Sequence, residues 1–131
     1  KSAFYFENFL RGKDIDENTK NDASLRLADA YFVQKNYPSA LQNYNKIIES
    51  ASAGEDYALF QRGMIQGLQG ENDAKISTLE ALLAKYIGSN YADDASFEIA
   101  NTYFIKGDFE RRTASFFDID QRPQNKSIKF F

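Results

Sequence analysis

The run DIDEN, residues 14–18, places side-chain oxygens at alternate residues, as the start of a calcium-binding loop does. Such a loop also needs a glycine at its sixth position and a bidentate glutamate at its twelfth. Thr19 and Leu25 occupy those two positions, so a calcium site is not supported. We expect the run to be a solvated linker that precedes a helix capped by Asn21 and Asp22.

A second candidate is a phosphate-binding loop in GMIQGLQG, which contains Gly63, Gly67 and Gly70. Glycine-rich loops can bind phosphate through their backbone N–H groups. A phosphate loop needs a preceding strand, closer glycines and usually a lysine. The spacing is instead that of a helix in which small residues allow close packing and Gly70 ends the helix. Two interior glycines should weaken that helix by roughly 1 kcal/mol each relative to alanine.

Paired carboxylates can perform acid–base chemistry, which makes Asp93, Asp94 and Glu98 a third candidate. Adjacent residues on a helix point about 100° apart, however, and the sequence implies no pocket around them. Stabilisation of a helix start by Asp93 and Asp94 is the simpler interpretation. Short matches to a kinase target at residues 111–115 and to a glycosylation sequon at residues 125–127 receive no function.

The composition restricts the available chemistry further. The 131 residues include no cysteine and no histidine, which removes disulfides, thiolate nucleophiles, Cys/His zinc sites and histidine catalysis. A content of 43% hydrophobic and 27% charged residues is typical of a folded domain. The net charge of −3 gives no basic excess for nucleic acid. We therefore predict a non-enzymatic protein without a catalytic residue, metal or cofactor, which binds no nucleic acid.

The hydropathy pattern also bears on location. No apolar run approaches the roughly 20 residues of a membrane span, so we expect no direct membrane insertion by this segment. Residues 1–11 lack the order of a signal peptide. Because the chain begins at Lys1 and not at Met, we expect it to be a mature or excised piece of a longer protein.

Apolar residues recur three and four apart over most of the chain, which predicts an all-α fold. Segments that combine a short turn with an apolar helix begin at residues 35 (KNYPSALQNYNKII), 70 (GENDAKISTLEALL) and 107 (GDFERRTASFFDI). A matching segment precedes each one, at residues 23 (ASLRLADAYFVQ), 57 (YALFQRGMIQGLQ) and 95 (ASFEIANTYFIK). Each pair of segments predicts two antiparallel helices with a tight turn between them.

The turns have recognisable residues. We expect Gly70 and Gly107 to close a helix with positive φ, and Asn36 to do the same after Lys35. Pro38 suits the first turn of a second helix, where its missing N–H costs nothing. The prediction is one domain over residues 1–131, with a partial unit at 2–11, complete units at 21–51, 56–86 and 91–120, and an irregular tail at 121–131.

A unit of about 34 residues, with a small residue near a tyrosine in its first helix and an alanine early in its second, resembles the tetratricopeptide repeat (TPR). The matching residues are Leu27, Ala28, Tyr31, Tyr37, Ala40, Tyr44 and Ile47 in the first unit, Gly63, Leu79 and Leu82 in the second, and Ile99, Ala100, Tyr103, Phe109 and Phe116 in the third. Lys75 and Arg112 depart from the pattern at the position of Ala40. Ile87 stands where the family usually has a proline.

The linker at residues 86–95, YIGSNYADDA, is similar to the junctions between repeats of bacterial cell-envelope TPR proteins. This resemblance implies a location in the periplasm or cell envelope in preference to the cytoplasm.

The TPR resemblance implies an α-solenoid whose concave wall is lined by the first helix of every unit. We call this surface the inner wall. The predicted partner-binding residues on it are Leu25, Asp29, Phe32, Tyr57, Phe60, Met64, Asp94, Phe97, Asn101 and Phe104. By register Val33, Leu68 and Ile105 also reach this wall, unless they pack against neighbouring helices.

Two functions remain open for such a chain. The leading hypothesis is an interaction module that binds a peptide or protein segment in the concave groove, as part of a larger bacterial envelope-associated scaffold. The alternative is structural self-association into homo-oligomers, end to end through apolar terminal helices that contain Phe4, Tyr5, Phe6, Phe9, Phe116, Phe117, Phe130 and Phe131.

Overall fold

The structure is a computed structural model that describes residues 16–118, with side chains described for residues 16–107. The helices are α1 (Glu17–Val33), α2 (Tyr37–Glu49), α3 (Glu55–Leu68), α4 (Asn72–Lys85) and α5 (Ala92–Asp118). This part of the chain contains no strand, and each helix packs against the next one in sequence. The prediction of an all-α solenoid is confirmed, whereas the partial unit predicted at 2–11 and the irregular tail predicted at 121–131 lie outside the described residues.

α1 begins earlier than the sequence analysis predicted. Asp16 is its N-cap, where Oδ1 accepts a hydrogen bond from the Thr19 N–H at 2.8 Å. Asn21 and Asp22 lie inside α1, so their prediction as capping residues is wrong. The physical reason is that Asp16 already supplies the capping oxygen one turn earlier, and Glu17 places a carboxylate in the first turn.

The turn between α1 and α2 differs in one residue from its prediction. Lys35, and not Asn36, has the positive φ of 62°. The Asn36 side chain instead caps α2, since its Oδ1 accepts a hydrogen bond from the Ser39 N–H at 3.4 Å. Because Asn36 caps α2, Lys35 is the residue that adopts the left-handed conformation of the turn. That conformation costs a non-glycine residue about 1 kcal/mol of backbone strain. Pro38 lies in the first turn of α2, as predicted.

Two glycines, Gly70 after the end of α3 and Gly63 within it, determine how α3 packs against α4. Gly70 ends α3 with a φ of 81°, which confirms its predicted role. A Cβ atom at Gly63 would lie 2.7 Å from Cδ2 of Leu79 on α4, too close for any side chain to be added without displacement of Leu79. Glycine at position 63 therefore lets α3 and α4 approach closely, as the small-residue pattern predicted.

The third pair of helices is not a pair in the structure. α5 is a single helix of 27 residues that passes through Gly107 without a turn, and Gly107 has no positive φ. The predicted helix break at Gly107 is therefore wrong. Glycine permits a turn but does not impose one, so Gly107 is also compatible with a continuous helix.

The core consists of two clusters that share α3. The first joins α1, α2 and α3 through the buried residues Leu25, Ala28, Ala40, Tyr44, Ile47, Ala58 and Ile65. The second joins α3, α4 and α5 through Leu59, Leu79, Leu82 and Ala95. Because α3 buries one face against α2 and the other against α4, the stack has a continuous interior.

Candidate functional site

α1, α2 and α3 meet at a carboxylate that accepts two tyrosine hydrogen bonds. The hydroxyl groups of Tyr44 on α2 and Tyr57 on α3 both donate to Oδ1 of Asp29 on α1, the second at 2.8 Å. Gln61 donates to both hydroxyl oxygens, at 3.4 Å to Tyr44 and 3.3 Å to Tyr57. The arrangement fixes the position of the Tyr57 ring on the surface shared by α1 and α3.

The environment of these tyrosines disfavours their ionised forms. Burial, followed by the hydrogen bond to Asp29, raises the pKa of Tyr44 and of Tyr57 well above the ordinary value of 10.0. Both hydroxyl groups therefore remain protonated donors at neutral pH. The cluster stabilises the fold and offers no nucleophile.

Tyr91, which directly precedes α5, covers the aromatic side chains of α3. Its ring centroid lies 5.5 Å from that of Tyr57 at an interplanar angle of 57°. It lies 5.6 Å from the Phe60 ring at 29°, in a stacked arrangement. Tyr44 meets the other side of Tyr57 edge-on, at 6.3 Å and 71°. Offset and edge-to-face contacts of this kind are favourable, so the four rings form one continuous aromatic cluster, in which Tyr44 is completely buried.

Polar contacts hold the α4–α5 loop, and with it Tyr91, against the start of α3. The buried carboxylate of Glu55 accepts hydrogen bonds from Lys85 Nζ at 2.9 and 3.1 Å and from the Tyr86 hydroxyl group. These contacts raise the pKa values of Lys85 and Tyr86, in both cases chiefly through the hydrogen bond to Glu55. In the same loop, Ser89 Oγ donates a hydrogen bond to Oδ2 of Asp56, the residue after Glu55, at 2.6 Å.

A cleft of about 240 Å³ opens beside Tyr57 and Tyr91 of this aromatic cluster. It is lined by Leu25 and Arg26 of α1, Tyr57 of α3 and Tyr91, and we call it the tyrosine cleft. Its walls combine an aliphatic side chain, two aromatic rings and one cation. A cleft with this lining can bury one apolar side chain and offer hydrogen-bond donors beside it.

Arg26 lies at the edge of the tyrosine cleft with its side chain 56% exposed. Its guanidinium group is 3.8 Å from Asp22 and 3.7 Å from Asp29, distances too long for hydrogen bonds. These neighbours hold the cation over the cleft by electrostatic attraction alone. Its N–H groups can therefore donate to a bound molecule.

The structure brings four of the predicted inner-wall residues together at the tyrosine cleft. Leu25 and Tyr57 line it, Phe60 stacks on its Tyr91 wall, and Asp29 holds Tyr57 from behind. Asp29 is thus engaged within the protein, and a contact between it and a partner stays a prediction. Leu25 is 9% exposed, which leaves only its edge for the cleft.

The other predicted residues lie away from this cleft. Phe32 forms an edge-on contact with Tyr37 at 5.9 Å, and Met64 is half-buried on α3. On α5, Phe97 and Phe104 are each 67% exposed, and Asp94 and Asn101 are also exposed. These four side chains lie together on one side of α5, separate from the side that carries Ala95 and Thr102, which are buried against the rest of the stack.

Val33, Leu68 and Ile105 were assigned either to the inner wall or to packing between helices. Their side chains are 83%, 61% and 52% exposed. More than half of each side chain is exposed, so the structure does not support packing between helices as the main role of these residues.

The sequence analysis did not predict Arg26 and Tyr91 as residues of the binding surface, although both line the tyrosine cleft. Arg26 follows Leu25 on α1, at a position that the repeat register does not direct toward the inner wall. Tyr91 belongs to the linker before the third unit, which was interpreted only as a junction between repeats. The aromatic content of that linker, with Tyr86 and Tyr91 five residues apart, was the available signal.

Among residues 16–118, as far as their side chains are described, no group of three or more acidic side chains is arranged to hold a metal ion. In the same part of the chain, no helix has both the length and the apolar character needed to cross a membrane.

Comparison with known families gives one match. The family described as tetratricopeptide repeat matches residues 22–52 and 57–86, which correspond to the α1–α2 and α3–α4 pairs. Neither curated proteins nor solved structures gave a match to the chain. Each of these two helix pairs is therefore similar to one tetratricopeptide repeat.

Proposed function

We propose that the inner wall binds a segment of another protein, with an apolar side chain of that segment inserted in the tyrosine cleft. The observation that carries the proposal is the cleft itself, where aromatic walls and an available guanidinium group lie on the surface shared by α1, α3 and the start of α5. An anchor side chain in such a pocket is the usual centre of a protein interface.

The two tetratricopeptide repeat matches support the same conclusion at a coarser level. Tetratricopeptide repeats generally mediate protein–protein interaction and are typically not catalytic. Burial and the hydrogen bond to Asp29 raise the pKa of Tyr57, so its hydroxyl group stays bound to Asp29 and its ring forms a fixed wall of the cleft, which suits recognition.

The exposed side of α5 extends the proposed binding surface. Phe97 and Phe104 present two aromatic rings, and Asn101 lies between them with an amide that can both donate and accept. A bound segment can therefore pair its backbone with Asn101 and Arg26 while its apolar side chains contact the rings.

The proposal is tested with peptides selected from a random library displayed against the chain. Calorimetry with a selected peptide should show binding that weakens about tenfold, or about 1.4 kcal/mol, in the Arg26→Ala variant. The double variant Phe97→Ala with Asn101→Ala should abolish capture. Both changes affect exposed side chains, so the helical circular dichroism should stay intact.

Ile87→Ala is the matched control. Ile87 is a 75% exposed apolar residue of the α4–α5 loop that does not line the tyrosine cleft. It should leave the affinity unchanged. Equal affinities for Arg26→Ala, the double variant and the wild-type chain contradict the proposed site.

We also propose that the chain acts in a larger bacterial envelope-associated scaffold, in the periplasm or envelope. The support is the similarity of the linker at residues 86–95 to envelope TPR junctions. Fractionation of source cells with an antibody to this segment tests it. Recovery in the cytoplasmic fraction contradicts this location and leaves the peptide-binding proposal unaffected.

End-to-end association through the terminal helices stays a prediction. Residues 2–10, 130 and 131 lie outside the described part of the chain, and the side chains of Phe116 and Phe117 are not described.

A further inference from the structure

We propose that the inner wall carries a second docking surface, which binds an amphipathic α-helix of a partner protein laid across α1, α3 and the first half of α5. The surface consists of Val33, Leu68 and Ile105, and we call it the apolar row. Val33 and Leu68 are the last residues of α1 and α3. The tyrosine cleft lies closer to the starts of these helices, so the proposal does not depend on peptide binding in that cleft.

Four rows of equivalent residues cross the inner wall, because α1, α3 and α5 repeat the same register. Ala28, Gly63 and Ala100 occupy one repeat position and align the three helices. From the helix starts onward, the rows are Asp22, Tyr57 and Asp94; Arg26, Gln61 and Glu98; Asp29, Met64 and Asn101; and Val33, Leu68 and Ile105. Successive members on one helix are three or four residues apart and therefore share a face. Of the four rows, the last is apolar in all three repeats.

The side chains of the apolar row are largely uncovered. Val33, Leu68 and Ile105 are 83%, 61% and 52% exposed, whereas Met64 in the preceding row is half-buried. A single exposed apolar residue is ordinary on a protein surface. Here the same repeat position is apolar and exposed three times, so the residues form a strip across the wall.

The distance between members of the row follows from the packing of the first helices. α1 and α3 are neighbours, since the Tyr57 hydroxyl group bonds to Asp29 at 2.8 Å. α3 and the start of α5 are neighbours, since Phe60 stacks on Tyr91 at 5.6 Å. Neighbouring helices lie about 10 Å apart, so the apolar row repeats at about that distance.

This spacing fits a helical partner and not an extended one. Residues of a strand that lie about 10 Å apart are three positions apart and point to opposite faces. Residues of an α-helix that are seven positions apart lie about 10.5 Å apart and point to nearly the same side. A helix with an apolar residue in every heptad can therefore place one side chain against each member of the row.

The size of the row argues against a second copy of the chain as its occupant. Three side chains with these exposed fractions offer on the order of 300 Å². A stable interface needs about 800 Å² from each partner, so contact between two such rows does not hold two copies together. A single helix of about 15 residues spans the row, because two heptads rise about 21 Å. It also reaches Met64 and Phe104, which lie beside the row.

The charges beside the row select a basic helix. The rows toward the helix starts carry the carboxylates of Asp22, Asp29, Asp94 and Glu98. Glu98 is paired with Lys75 at 2.9 Å, and Arg26 is the cation within these rows. The remaining carboxylates outnumber it, so lysine or arginine on the edge of the helix that faces the helix starts is favoured. Lys35 lies on the opposite side of the row, beyond the end of α1.

Three labelled peptides of about 18 residues provide the probes, a length sufficient to cross α1, α3 and α5. The first has leucine at every seventh position on an alanine and lysine background. The second has the same composition with its leucines five positions apart, which turns them about 140° from one another around the helix. The third replaces every lysine of the first with glutamate. Fluorescence anisotropy measures their affinities for the full chain.

The first peptide should bind at least tenfold more tightly than the second, because only its leucines share one side. It should also bind more tightly than the third, by a ratio that falls as salt is added. Leu68→Gln, at the centre of the row, should weaken the first peptide about tenfold, and the triple variant with Val33→Gln and Ile105→Gln should abolish binding. All three positions are exposed, so the helical circular dichroism should not change.

Ile87→Gln is the matched control, since Ile87 is a 75% exposed apolar residue of the α4–α5 loop that does not belong to the row. It should leave the affinity of the first peptide unchanged. Sedimentation of the wild-type chain and of Leu68→Gln tests for a second copy as the occupant.

Each outcome decides the proposal. Tight binding of the first peptide that is lost in the triple variant and kept in Ile87→Gln supports it. Absence of binding, or binding unchanged by Leu68→Gln, overturns the row as a docking surface. Equal affinities for the first and second peptides overturn the helical partner, and equal affinities for the first and third overturn its basic character. A wild-type dimer that Leu68→Gln dissociates shows that a second copy covers the row and also overturns the proposal.

Discussion

Asp29 shows how one side chain can organise both the fold and the site. It lies on the predicted inner wall, yet it accepts hydrogen bonds from Tyr44 and Tyr57 on two other helices. The repeat register predicted that Asp29 and Tyr57 face the same wall. It did not predict that they bond to each other, because register gives the direction of a side chain and not its partner.

The first prediction concerns this tyrosine pair at alkaline pH. Both pKa values are raised in the folded state, by burial and by the bond to Asp29, whereas unfolded tyrosine titrates near 10. Above that pH the unfolded chain loses protons that the folded chain keeps, so the free energy of unfolding falls as the pH rises. Below it, both states keep the protons and this stabilisation is fully present.

Urea unfolding at several pH values from about pH 8 to about pH 11 checks this. The double variant Tyr44→Phe with Tyr57→Phe should show a shallower loss of unfolding free energy above pH 10 than the wild-type chain. Parallel curves for the two proteins contradict the prediction.

The second prediction concerns Gly63. Gly63→Ala gains up to about 1 kcal/mol of helix propensity, but its Cβ would lie 2.7 Å from the completely buried Leu79. Overpacking of this kind typically costs about 1–3 kcal/mol, so we expect a net loss of about 1 kcal/mol in the free energy of unfolding. Thermal or urea unfolding measures it.

Gly67→Ala is the matched control on the same helix. Its new Cβ would meet Cδ of Lys75 at 2.8 Å, and this unbranched stem, although its Nζ is paired with Glu98, can shift more easily than the branched and completely buried Leu79. Gly67→Ala should therefore be more stable than Gly63→Ala. Equal stabilities would show that the α3–α4 distance is not set at Gly63.

At the scale of helices, ion pairs fasten α5 to α4. Lys75 Nζ lies 2.9 Å from Glu98 Oε1, with side chains 11% and 22% exposed. Lys106 Nζ lies 3.0 Å from Asp73 Oδ1, where the Asp73 side chain is 88% exposed. The two pairs join the same helices but differ in burial, so they should differ in strength.

The third prediction uses this difference. Glu98→Ala leaves the Lys75 ammonium group largely buried without its carboxylate, which should cost about 2 kcal/mol of unfolding free energy. Asp73→Ala removes a solvent-screened partner and should cost only about 0.5 kcal/mol. Urea unfolding of both variants compares them, and an equal loss would mean that burial does not determine the strength of these pairs.

The helices themselves were largely predictable, and the exceptions have physical causes. Pro38 forces a helix start and Gly70 provides a left-handed stop, so the α1–α2 and α3–α4 pairs follow from local chemistry. At Gly107 the local chemistry permits either a turn or a continuous helix. A choice of that kind depends on what packs against the two faces of α5, which sequence periodicity alone does not specify.

At the scale of the whole molecule, α1, α3 and the start of α5 form one surface, and α2 and α4 support it. The TPR resemblance implied this division, but the tyrosine cleft arises from three distant segments. Arg26 and Tyr91 are 65 residues apart in sequence and line the same cleft. Tyr91 takes its place there because Glu55 and Asp56 bind the α4–α5 loop, and such long-range polar contacts leave no periodic signal.

The central claim is that this surface, and not the supporting helices, binds the partner. Titration of a selected peptide into ¹⁵N-labelled protein tests it directly by amide chemical-shift mapping. The account predicts that the largest shifts occur at Arg26, Tyr57, Tyr91 and Asn101. Shifts confined to α2 and α4 would contradict it.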